Sequence, residues 1–179
     1  MTAPLLKPDS PQRYGTVSRV LHWGMALGFA WMFATTLTTY FFAESALDEL
    51  LWPTHKSVGA LMMLLLLVRG AWSLLNARRR PASTSLLAHL GHLALYAVMF
   101  AVPFIGLLRQ FGSGRAFAPF GIPLMPGFEG GAIKWMTDLG GNFHGLLGWT
   151  LLALTVGHIA AALWHRRSSE TNVIPRMFG

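Results

Sequence analysis

The sequence has no cysteine in its 179 residues. Disulfides, thiolate metal sites, iron–sulfur clusters and haem held through cysteine are thereby excluded. Charge is also scarce: Asp, Glu, Lys and Arg together make up 12% of the chain, about half the ~25% usual in a soluble domain. The sequence lacks a glycine-rich phosphate loop after a strand, a nucleophile–base–orienter set, and paired carboxylates within an apolar stretch. Any chemistry must therefore belong to a cofactor that the protein ligates and surrounds.

What is present is apolar. Hydrophobic residues make up 53% and aromatic residues 12% of the chain, and the mean hydropathy is +0.46. This excludes disorder, collagen-like repeats and an ordinary water-soluble enzyme. A bilayer crossing needs roughly 20 mostly apolar residues, and four stretches qualify, at about residues 18–42, 53–75, 85–108 and 139–165. The short connections between the first three make neighbouring helices antiparallel. The expected fold is all-α, a transmembrane four-helix up-and-down bundle forming one domain over residues 1–179. The first stretch is too long for a signal h-region and lacks a small-residue cleavage site, so it is expected to remain as a span. The third connection, about 109–138, is rich in Gly and Pro and reads as a loop, with a short interfacial helix expected near 133–137.

The basic residues give the orientation. Lys7, Arg13, Arg19, Arg69, Arg78, Arg79, Arg80, Arg166, Arg167 and Arg176 fall on one side, opposed only by Asp9 and Glu170, a net of +8. The other side has Lys56, Arg109, Arg115 and Lys134 against Glu44, Asp48, Glu49, Glu129 and Asp138, a net of −1. The positive-inside rule then predicts a multi-pass protein with both termini cytoplasmic. The excess of basic charge reads as a topology signal, and no nucleic-acid partner is expected.

Seven histidines stand out in so apolar a chain. An ionisable group within a span is a functional hypothesis, because leaving it unpartnered in hydrocarbon is costly. The plainer account is a neutral imidazole hydrogen-bonded between helices. Spacing favours more than that. His144 and His158 lie 14 residues apart, which is roughly 40° short of four helical turns and a rise of roughly 21 Å. Both therefore face one way, at opposite depths. His22 lies near the inner end of the first span and His55 near the outer end of the second. Two levels result, His22 with His158 inside and His55 with His144 outside. Two axial imidazoles per level is what b-type haem requires without cysteine or methionine ligation. A small residue follows each by one turn, Ala26, Gly59, Gly148 and Ala162, as a flat macrocycle needs, although small residues also serve helix packing. His89 and His92, near the inner end of the third span, could contact a haem propionate, pass protons to a quinone, or bond between helices. His165, beside Arg166 and Arg167, reads as part of an interfacial basic cluster.

These segments together resemble the bacterial cytochrome b561 family. The resemblance runs over residues 13–178 and rests on RYGTVSRVLHW around His22, HKSVGALMMLLLLVRGAW from His55, AHLGHLALY from His89, FHGLLGW around His144, VGHIAAALWH through His158, and the closing NVIPRMFG. It implies two non-covalent haems b whose iron is ligated by His22, His55, His144 and His158, in a bacterial inner (plasma) membrane protein that exchanges electrons with the quinone pool. Some members resemble superoxide oxidase, which takes electrons from superoxide and reduces ubiquinone. Others relay electrons between quinol and a periplasmic redox partner, and both readings stand at this point. The first draws on charge: Lys56 follows His55 directly, Arg109 ends the third span, and Arg115 and Lys134 lie in the loop beyond. These residues would form a positive mouth that steers a small anion; the plainer account is that Arg109 and Lys134 mark interfacial span ends.

Overall fold

A computed structural model describes residues 6–167 and 172–178; Glu170 and Gly179 lie outside the described residues. Six α-helices occur among them: α1 (Thr16–Phe41), α2 (Ala46–Leu51), α3 (His55–Leu75), α4 (Leu86–Gly112), α5 (Lys134–His165) and α6 (Pro175–Phe178). There is no strand among the described residues, only an isolated bridge between Phe117 and Met125. Four helices are long and apolar enough to cross a membrane, the second of these formed by α2, a 3-10 turn and α3 in succession over Ala46–Leu75. The architecture is the expected all-helical bundle.

Local chemistry fixes the helix ends. Ser85 caps α4 by accepting from Ala88 N at 3.1 Å, and Ser45 caps α2 by accepting from Asp48 N at 3.2 Å. Pro53 sits in the 3-10 turn Trp52–Thr54, where its missing N–H costs nothing. At the start of α1 the buried Asp9 carboxylate accepts from Gly15 N at 2.6 Å and from Ser18 Oγ at 2.8 Å. That places a negative charge at a helix N-terminus, where the backbone dipole favours it. Arg80 of the α3–α4 connection lies 3.7 Å from the same carboxylate.

Three boundaries differ from expectation. The second membrane-spanning helix begins at Ala46, because α2 and the 3-10 turn precede α3, and not near Pro53. α4 runs on to Gly112, and residues 134–137 are the opening turn of α5 instead of a separate interfacial helix. The helix extends because Lys134 and Asp138 pair across one turn at 2.5 Å. Gly140 does not break it, because the Arg109 side chain covers the glycine where a Cβ would stand.

α1 packs on α3, α3 on α4, and α4 most extensively on α5. The backbone of α5 approaches neither α1 nor α3 comparably. The packed core is small and rich in methionine, with Met25, Met62, Leu66, Met99 and Leu151 at its centre. Met62 occupies the space a side chain at Gly28 would need, which brings α1 and α3 close together. Both described chain ends lie at one end of the bundle, called here the terminal end.

Candidate functional site

The two histidine pairs lie where α5 stands apart from α1 and α3. At the terminal end, His22 of α1 faces His158 of α5, with ring centroids 6.5 Å apart. At the opposite end, His55 of α3 faces His144 of α5 at 6.2 Å. A metal bonded to both rings at ~2 Å per bond, with each ligating nitrogen a little over an ångström from its centroid, would give nearly these separations. Among the described residues no cluster of three or more His, Cys, Asp or Glu could hold a bare metal ion. Each level has one pair of imidazoles facing each other at a metal-bridging separation, so further ligands would have to arrive with the metal, as in a porphyrin. The surface beside the rings is low. Cβ atoms built at Gly148 and Gly59 meet nothing within 4 Å except the Met32 methyl, 3.5 Å from the latter.

At the end away from the termini, the hydrogen bonds define which ring nitrogen carries the proton. Thr35 is fully buried, and its hydroxyl donates to Met32 O at 2.7 Å. With its only proton committed, Thr35 Oγ1 accepts from His55 Nδ1, 2.7 Å away. His144 Nδ1 lies 2.9 Å from the carbonyl of Val102, which can only accept. Both imidazoles therefore carry their proton on Nδ1 and present an unprotonated Nε2, the form that ligates a metal while its other nitrogen is anchored. The contact to α4 depends on Gly106, one turn after Val102, because a Cβ there would fall 2.9 Å from His144 Cε1. Trp52 stacks on His55 with centroids 5.0 Å apart.

The terminal-end pair is set differently. Among the described residues His22 Nδ1 is buried without a hydrogen-bond partner, and the Trp23 ring meets His22 edge-on at 5.1 Å. His92 of α4 joins this level, 5.4 Å from His158 between centroids. His89 is brought to neither pair; it lies exposed in the first turn of α4. Arg69, counted above among the charges of the inner face, has its Nε buried within the bundle.

Of the basic residues expected at the outer mouth, Lys56 donates to Gln110 Oε1 at 3.0 Å, and Gln110 Nε2 donates to Arg115 O at 3.1 Å. Lys56 and the Arg115 backbone are thus gathered around one buried amide. The Arg109 stem packs over Gly140. Lys134 is neutralised by Asp138 and drops out of the group. Sequence reasoning did not reach Thr35, Gly106, Gln110 or the place of Arg69. Only Arg69 had a readable signal, since it follows His55 by the same 14 residues that separate His144 from His158.

The profile of a family described as prokaryotic cytochrome b561 matches residues 13–179. Cytochrome b561 homolog 2 of Escherichia coli (strain K12) is 32% identical over 183 aligned residues, which cover 96% of this chain and 94% of the relative.

Proposed function

Because the chain belongs to the prokaryotic cytochrome b561 family, whose members are haem b electron-transfer proteins of the membrane, we propose that it carries two haems b. His22 and His158 ligate one, His55 and His144 the other. The terminal end faces the cytoplasm of a bacterial inner membrane, as the distribution of basic residues favours. Haem b in each site supplies one-electron transfer between ferric and ferrous iron. The observation that carries this reading is the pair of facing imidazoles at two depths on α5, 6.5 Å and 6.2 Å between centroids. Thr35 and Val102 support it by holding the outer two imidazoles in the ligating tautomer.

We infer further that the protein oxidises superoxide outside and reduces ubiquinone. Overall, two superoxide anions become two dioxygen molecules as one ubiquinone takes up two electrons and two protons. Among the described residues, neither Lys56, Arg109 nor Arg115 has a carboxylate within ion-pair distance. Their charge is free to attract a small anion toward the level of His55. Inside, His92 stands beside His158, where an imidazole suits delivery of protons near pH 7. Purified protein should reduce a soluble ubiquinone in step with a superoxide source and stop when superoxide dismutase is added. Ubiquinone reduction that superoxide does not drive would favour the relay reading, in which a periplasmic redox protein exchanges electrons with quinol through the same two centres.

A further inference from the structure

Arg69 does not occupy the place its charge would choose. It lies six residues before the end of α3 at Leu75, roughly 9 Å along the helix axis. His22 lies six residues after the start of α1 at Thr16, His92 six after the start of α4 at Leu86, and His158 seven before the end of α5 at His165. All four long helices thus contribute one nitrogenous side chain at the same depth. The 14 residues from His55 to Arg69 put both on one face of α3, and that face looks into the bundle.

Its contacts are soft. The guanidinium approaches the Met25 thioether at 3.8 Å and lies over the Tyr96 ring at 5.5 Å. Its Nε is buried and has no partner among the described residues. Among the described residues no carboxylate pairs with it. Glu44, Asp48, Glu49, Glu129 and Asp138 belong to the opposite end of the bundle, and Asp9 is engaged by Gly15, Ser18 and Arg80. A half-buried, permanently charged guanidinium whose Nε is cut off from solvent is stabilised by an anion, and neither a thioether nor a ring face is one. A neutral quinone carbonyl would leave the charge uncompensated.

We propose that Arg69 is a carboxylate-binding site and that its ligand is a propionate of the haem held by His22 and His158. The inference rests on the haem reading above and assigns a side chain that the reading did not use. The charges match: iron protoporphyrin with both propionates ionised and two neutral imidazoles is a net anion in either iron oxidation state. The planar guanidinium suits a two-point contact with a carboxylate. A fixed positive charge here also favours the ferrous form, which carries one more negative charge.

The test compares full-length, haem-loaded Arg69→Met and Arg69→Lys with the wild type. In Arg69→Met the propionate bending band of one haem should shift in the resonance Raman spectrum. The same haem should become harder to reduce, its ferrous-to-ferric ratio at fixed poise falling about tenfold or more, equivalent to about 59 mV for one electron. The other haem should titrate as before. Arg69→Lys should restore the potential but not the band, because an ammonium keeps the charge without the fork. An unshifted propionate band in both variants would overturn the proposal, even if the potential moved. Should Arg69→Met fail to assemble, the band in Arg69→Lys decides alone. One haem per wild-type chain would instead overturn the two-centre reading, and the same Raman comparison on that haem would still decide for or against Arg69.

Discussion

Thr35 shows how much one hydroxyl can settle. Its proton goes to Met32 O, so its oxygen has to accept from His55, and the His55 tautomer follows. Replacing Thr35 with Val keeps the β-branched shape and removes the acceptor. Loss of such an anchoring contact typically weakens metal-site affinity about 10–100-fold. The outer haem of Thr35→Val should therefore pass to a haem-scavenging apoprotein at least tenfold faster than in the wild type, with Thr35→Ser restoring retention. Gly106 acts through space. A methyl group there would crowd His144 Cε1 at 2.9 Å, and α4 is held against α5 along its length, so the ring must yield. Gly106→Ala should lose the outer haem and keep the inner one, read as a pyridine haemochrome count falling from two to one per chain.

α5 serves both levels. His144 and His158 reach them because 14 residues nearly complete four turns, and because nothing between them breaks the helix despite Gly145, Gly148 and Gly157. α1 and α3 each supply one histidine, and at the other level a polar group of a different kind, Thr35 from α1 and Arg69 from α3. α4 supplies a backbone carbonyl to one level and His92 to the other. This division of labour predicts independent losses. His144→Ala should remove the outer haem and leave the inner one largely bound, and His158→Ala should do the reverse, each checked by haem stoichiometry and by which potentiometric wave remains. Loss of both haems from either variant would mean that the levels fold as one unit.

Across the whole molecule, basic residues gather at the terminal end, which the proposed orientation turns to the cytoplasm, and Lys56, Arg109 and Arg115 belong to the far end, where the proposed anion would arrive. The far end is net negative by sequence count, yet Asp48 is occupied by Thr39 and Glu44 N and Asp138 by Lys134. Lys56 and the Arg115 backbone meet around Gln110, and Lys56, next to His55 in sequence, has no carboxylate within ion-pair distance among the described residues. Changing both Lys56 and Arg115 to Gln should slow reduction of the haems by superoxide and flatten its dependence on salt, while reduction by dithionite is unaffected. Stopped-flow traces from low ionic strength to 1 M, where the Debye length is about 3 Å, will show it. An unchanged rate and salt slope would remove the steering argument and favour the relay.

The long helices, their alternation and the pairing of histidines by depth were legible in the sequence, because hydropathy, helical pitch and charge bias act along the chain and can be counted residue by residue. The extension of α5 back to Lys134 was not, because it depends on an ion pair and on Arg109 covering Gly140. Nor were the partners of the histidines. Thr35 lies 20 residues from His55 and Val102 lies 42 from His144; neither has any sequence mark that separates it from other threonines and valines in apolar helices. Gly106 and Gly28 look alike in sequence, yet one makes room for the His144 ring and the other for Met62. The sequence by itself determined which residues could meet at each depth, since pitch and hydrophobicity are local properties. Only the tertiary structure decided which ring nitrogen is free and, among the described residues, which lysine keeps its charge available and which arginine has no carboxylate within ion-pair distance, because each depends on what a neighbouring helix brings within hydrogen-bonding distance.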